Sequence, residues 1–160
     1  SEKAQDIAAC ADYFYEKYGL RPVFLSMNIL YDTKAAKEVT SLMHAEYTII
    51  DEKISPEMLI AMLSYMRAAV AMRLHGLIFS SVSGIPLIGI SYDPKINSFL
   101  EYLGYGDCIN LADVTRENLR EAADRAVALI DKKDELKQHA DRLALKEQKN
   151  IEAVKELLSI

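Results

Sequence analysis

Cysteine is scarce in this chain: Cys10 and Cys108 stand alone and far apart. Two thiols without metal-ligand spacing, and without the density of a small secreted scaffold, point to free cysteines in a reducing compartment. Basic residues have no excess either, since 19 Lys and Arg against 24 Asp and Glu leave a net charge of −5. A general nucleic-acid binder needs a basic stripe to neutralise phosphates, so that class is excluded. No apolar run approaches the roughly 20 residues that span a bilayer. The opening residues are charged and helix-periodic, which is not the pattern of a secretion signal. Glycine occurs six times but never as G-x-G-x-x-G, so an ordinary dinucleotide site is not expected. Internal repeats and low-complexity linkers are missing as well. The remaining class is a cytoplasmic chain of one domain's length, 160 residues with 51% apolar content, which is enough to bury a core.

What is present is an alternation of short apolar runs with helical periodicity. Residues 3–18 read as an amphipathic helix stopped at Gly19, which is free to take positive φ. Strands are expected near 22–27, 47–50, 68–72, 86–90 and 107–110. Helices are expected over 33–44, from Ser55 to Met66, from Gly76 to Gly84, and over 96–103. Ser55-Pro56-Glu57 is a cap, a first-turn proline and an acid at the positive helix end. The apolar repeat from Leu119 to Leu157 reads as one helix to about Ile130, a break at 131–134, and a second helix to about Leu158. Strands alternating with helices imply an α/β fold of Rossmann-like, doubly wound type, with a mostly parallel sheet and helices on both faces. Residues 1–113 carry that pattern, and 114–160 form a helical C-terminal extension of the same domain. The chain opens with a helix, whereas such domains usually open with their central strand.

The chemistry concentrates in 68–95, where polar clusters follow two apolar runs. Parallel strands place their carboxyl ends on one edge, where ligands bind, so the two clusters should meet there. Arg73 and His75 flank Leu74 and leave an extended backbone on the same face. The helix beginning near Gly76 should aim free N–H groups, those of residues 76–78, at the same spot. An arginine fork, an imidazole and a helix N-terminus together suit a phosphate or carboxylate. Lys95 adds a second cation from the next strand end. There is a plainer account of part of this, because Asp93-Pro94 is also a good cap followed by a first-turn proline. Arg73 could likewise be held in an ion pair. His44 and His139 sit on helix faces with no visible partners, and the methionines at helical spacing read as core filler.

Met72-Arg73-Leu74-His75, Leu77-Ile78-Phe79, Gly84-Ile85-Pro86 and Ile90-Ser91-Tyr92-Asp93-Pro94-Lys95 together resemble the polysaccharide pyruvyl transferase family. Ser55-Pro56-Glu57 fits the same pattern, and the resemblance runs from about Arg21 to Gly104. It implies a two-lobed, GT-B-like transferase that moves the pyruvyl group of phosphoenolpyruvate onto a sugar of a cell-envelope polysaccharide or its lipid-linked precursor. The implied location is cytoplasmic, at the inner face of the membrane. Carried over, the catalytic pair is His75 and Arg73. The substrate-binding set is Arg73, Gly76, Leu77, Tyr92, Asp93 and Lys95, with no metal and no cofactor besides the donor substrate.

The sequence departs from that family in two ways. No glycine-rich N-x-G-D-like turn of an amino-terminal lobe is present, and the opening strand of the carboxyl-terminal lobe is missing. This implies a carboxyl-terminal lobe that needs an amino-terminal lobe as partner and is inactive alone. The missing strand would lie between those at 22–27 and 68–72. The gap must be closed by direct pairing, filled by another chain, or left as exposed edges. Two other readings stand beside this one: the donor lobe of a GT-B nucleotide-sugar glycosyltransferase, and a non-catalytic interaction domain. The first should supply an acid for the ribose, and no convincing candidate follows the helix at 76–84.

Overall fold

The computed structural model describes residues 1–158. It is an α/β chain in which five strands alternate with helices. They are α1 (Glu2–Tyr18), β1 (Val23–Leu25), α2 (Ile29–Thr40), β2 (Thr48–Ile50), α3 (Pro56–Leu63) and β3 (Ala69–Ala71). There follow α4 (Leu74–Val82), β4 (Leu87–Ser91), α5 (Pro94–Leu103), β5 (Asp107–Asn110), α6 (Arg116–Val127) and α7 (Lys133–Leu158). Short 3₁₀ turns at Leu111–Asp113 and Ile130–Lys132 precede the last two helices.

Local chemistry sets most boundaries. Ser55 accepts from the Met58 N–H and is followed by Pro56, which starts α3. Gly19 and Gly104 close α1 and α5 in the left-handed conformation, at φ 66° and 82°, where a side chain would be strained. Thr115 and Asn118 form a reciprocal capping box that starts α6. The break expected at 131–134 falls at the 3₁₀ turn 130–132. One helix starts earlier than its apolar pattern suggests: α2 begins at Ile29, four residues before Thr33. The Asp32 carboxylate reaches back to the Asn28 N–H at 2.7 Å and satisfies a donor that would otherwise be free at the helix start.

Every strand pairing is parallel, but the strands form two sheets instead of one continuous sheet. One has the order β1–β2 and the other β3–β4–β5. All five residues of β4 are buried, as expected for a parallel strand covered on both faces. On one face Ile88 and Ile90 meet Cys10 and Phe14 of α1 and Leu119, Ala122 and Ala126 of α6. On the other, Leu87 packs with Leu59, Leu77, Ile96, Leu100 and Ala140, from α3, α4, α5 and α7. Gly89 faces this second layer so tightly that an added Cβ would stand 2.8 Å from Leu100.

β1 and β3 are not paired with each other. The Thr48 N–H donates to Pro22 and the Ser26 N–H to Ile50. Alternation along a parallel ladder therefore turns the polar groups of Val23 and Leu25 away from β2. The Ala69 N–H donates to Pro86, which by the same alternation turns those of Val70 away from β4. Val70 is 42% exposed, although it sits mid-strand. Of the three outcomes open to the gap between β1 and β3, the chain shows unpaired edges. No helix of the described residues is long and apolar enough to cross a membrane.

Candidate functional site

A cavity of about 470 Å³ opens beyond the carboxyl ends of β1, β2 and β3. One wall is the β1–α2 turn with Met27, Asn28 and Ile29, and another the β2–α3 loop with Glu52, Lys53 and Ile54. The third carries Arg73, His75 and Phe79 from the end of β3 and from α4. Position follows from topology: turns that leave parallel strands at one edge are brought together there.

Arg73 is the N-cap of α4 in extended backbone and makes no side-chain cap. The first backbone bond of the helix runs from the Leu77 N–H to the Arg73 carbonyl at 3.2 Å. The free N–H groups are therefore those of Leu74, His75 and Gly76; of the expected residues 76–78, Gly76 alone is among them. The helix begins two residues sooner than Gly76 because Leu74 and His75 are already helical. Orphan N–H groups and the helix dipole make this end of α4 favourable to an anion.

The Arg73 guanidinium is engaged by a residue the sequence did not single out. Its Nε donates to both oxygens of Asp32, at 3.0 and 2.8 Å, and its Nη2 to Oδ1 at 2.6 Å. Partial burial pushes the Asp32 carboxyl up, but hydrogen bonds from Arg73 and from the Asn28 N–H outweigh it and hold the group below the usual carboxylate range. The same Asp32 bond raises the Arg73 pKa further above its ordinary value. Both groups are thus charged at neutral pH. His75 is exposed, with its ring 6.4 Å from that of Phe79 and tilted by 35°.

The other expected site residues are placed differently. Gly76 lies in the first turn of α4, and its bare Cα faces β3, where an added Cβ would stand 3.3 Å from that of Ala71. Leu77 is fully buried in the core and its N–H is already bonded to Arg73. Asp93 caps α5 by accepting the Lys95 N–H at 2.9 Å, the plainer of the two roles open to it. Tyr92 is 60% exposed, and Lys95 is exposed on the first turn of α5. These last three sit at the carboxyl end of β4, next to β3, but they do not line the cavity. Lys53 does line it. Its loop follows a strand to the same edge, and that topological signal was available without any motif. Among the described residues, no three His, Cys, Asp or Glu side chains gather where they could hold a metal ion.

A comparison with protein-family models matches residues 2–94 to the model described as polysaccharide pyruvyl transferase. No curated protein matches the chain.

Proposed function

Because the chain belongs to the polysaccharide pyruvyl transferase family, we propose that this transferase lobe takes the pyruvyl group of phosphoenolpyruvate to a sugar of a cell-envelope polysaccharide or its precursor. The observation that carries the reading is the cavity wall at the start of α4, where Arg73, His75 and three free N–H groups stand together. Phosphoenolpyruvate brings a phosphate and a carboxylate. Arg73 holds one of them through its planar fork, the helix end attracts negative charge, and Lys53, which lines the cavity, meets the second anion. His75 moves a proton either to the enol methylene of the donor, which becomes the methyl group, or from the sugar hydroxyl that attacks the enol carbon. A second sugar hydroxyl then closes the ketal as the C–O bond to phosphate breaks and inorganic phosphate leaves.

The lobe is of Rossmann-like, GT-B type, with one further parallel strand between β1 and β3. Two observations support this. Both flanking edges are unpaired, and the crossover helices change faces there: α1 and α2 pack together on one side, and α3 and α4 on the other. The cavity then lies at the topological switch point, the usual ligand crevice of such sheets. An amino-terminal lobe closes over it, and the assembly works at the inner face of the membrane on its saccharide or lipid-linked acceptor.

Calorimetric titration with phosphoenolpyruvate, beside UDP- and GDP-sugars, tests the reading. Binding of phosphoenolpyruvate that is lost in Arg73→Ala supports it. Binding of a nucleotide sugar alone would replace it.

A further inference from the structure

We infer that Asp32 is the positioning residue of this anion site, gripping Arg73 along one edge so that the end of the guanidinium is left for a ligand. A guanidinium carries five N–H donors in a rigid plane. Asp32 takes the edge formed by Nε and Nη2. Nη1 and the second N–H of Nη2 make no hydrogen bond among the described residues, and together they form another edge of the same fork. One carboxylate fixes the plane, and a second anion can bind in that plane through two parallel bonds.

The opposite role, in which Asp32 competes with the ligand for Arg73, fits the geometry less well. Asp32 is held from behind by the Asn28 N–H at 2.7 Å, so its position is set by the β1–α2 turn. It is also the inner member of the pair, with its side chain 23% exposed against 38% for Arg73. An arriving anion meets the guanidinium before the carboxylate. The ion pair also ties the end of β3 to the turn after β1, and so joins two walls of the cavity that no strand pairing connects. Asp32 thereby fixes both the direction of the fork and the width of the site. Only the identity of the ligand rests on the pyruvyl-donor reading; the held and free edges of Arg73 do not.

The test is calorimetric titration of the 160-residue protein and of Asp32→Asn, Arg73→Ala and the double variant, with phosphoenolpyruvate and separately with inorganic phosphate. Asp32→Asn should weaken anion binding about tenfold or more, and should cost little further in the Arg73→Ala background, because its effect passes through Arg73. In nitrogen-15 NMR spectra the Arg73 Nε–H signal should be slow to exchange in the parent protein and lost in Asp32→Asn. Unchanged or tighter binding in Asp32→Asn, or a full additional loss in the double variant, overturns the inference. Should Asp32→Asn not fold, Asp32→Glu takes its place with the same expected loss, since it keeps the charge but displaces the carboxylate. Phosphate binding without phosphoenolpyruvate binding in the parent protein overturns the donor reading and leaves the role of Asp32 standing. Phosphoenolpyruvate binding that Asp32→Asn does not affect does the reverse, and failure of the parent to bind either anion overturns both.

Discussion

Arg73, which lines the cavity, and Asp32 stand 41 residues apart in the sequence and meet through three hydrogen bonds of 2.6 to 3.0 Å. Arg73 follows β3 as the N-cap of α4, and Asp32 lies in the first turn of α2. The contact therefore crosses from one sheet to the other, and the ion-pair alternative for Arg73 is realised together with a place in the cavity wall. Structural and ligand-binding roles do not exclude each other for a group with five donors.

Arg73→Lys is expected to keep the charge and lose both edges of the fork. Anion affinity should fall by about 1.5–3 kcal/mol, the usual worth of a hydrogen bond to a charged group. Calorimetry with inorganic phosphate measures this directly. Equal affinity in the lysine variant would show that the site reads charge and not planar geometry.

The α1–α6 contact should make stability depend on acid. The Asp124 carboxylate accepts from Tyr18 at 2.5 Å, Tyr13 at 2.8 Å and Lys17 at 3.0 Å, and those bonds lower its pKa from 3.8 to about 2. A depressed carboxylate pKa contributes stability above the unfolded value that is lost as pH falls through the folded one. The contribution is therefore complete above about pH 4 and disappears towards pH 2. Urea midpoints across that window should fall less steeply in Asp124→Asn than in the parent protein. Parallel curves would show that the cluster is not coupled to folding.

Asp12 is a buried acid with a structural task. It accepts from the His44 N–H at 2.9 Å and the Ala45 N–H at 2.8 Å, which fixes the turn between α2 and β2 against α1. Asp12→Ala leaves two donors without their acceptor and should cost about 1–3 kcal/mol in urea unfolding. A change below about 0.5 kcal/mol, within the range of ordinary surface substitutions, would mean that water replaces the carboxylate.

Much of this architecture is legible in the sequence because it is written locally. Ser55-Pro56 and Asp93-Pro94 start helices, Gly19 and Gly104 end them, and the five apolar runs become five parallel strands. Arg73 and His75 are visible because two polar groups interrupt an apolar run at a strand end. Asp32 is not, because its partner is set by tertiary structure and a first-turn acid looks like any helix-start acid. Lys53 is hidden for a related reason: the loop after β2 has no motif, only a position. The start of α4 is not legible in the sequence because Gly76 reads as a turn residue, whereas in the fold it lets α4 approach Ala71 closely.

The unpaired edges lead to a prediction about exchange. The amides of Val23, Leu25 and Val70 point out of their ladders towards the gap, while β4 is paired on both sides. Hydrogen exchange should therefore be much faster at those three amides than at Ile88 and Ile90, since open edges lack the protection of a buried ladder. Protection of Val23 and Val70 equal to that of Ile88 in a monomeric sample would mean that β1 and β3 pair in solution. Equal protection accompanied by self-association would mean that a second copy covers the edges.

In the proposed mechanism, His75 separates binding from chemistry. It lines the cavity beside Arg73 but is exposed, and it accepts or donates no hydrogen bond among the described residues that would tie its ring to the fold. Removing it should leave the Arg73–Asp32 pair and the helix end intact. If the proposed two-lobed assembly holds, His75→Ala within it should bind phosphoenolpyruvate with nearly the parent affinity. Turnover should fall by about 10²–10⁴-fold, the usual contribution of a positioned proton carrier. His75→Asn sharpens the test, because an amide keeps the hydrogen-bonding capacity but cannot exchange a proton near neutral pH. If the asparagine variant restores turnover, His75 acts as a hydrogen-bond donor and another group moves the proton. If both variants turn over at the parent rate, His75 has no part in the transfer, and the catalytic assignment returns to Arg73 and the N–H groups at the start of α4.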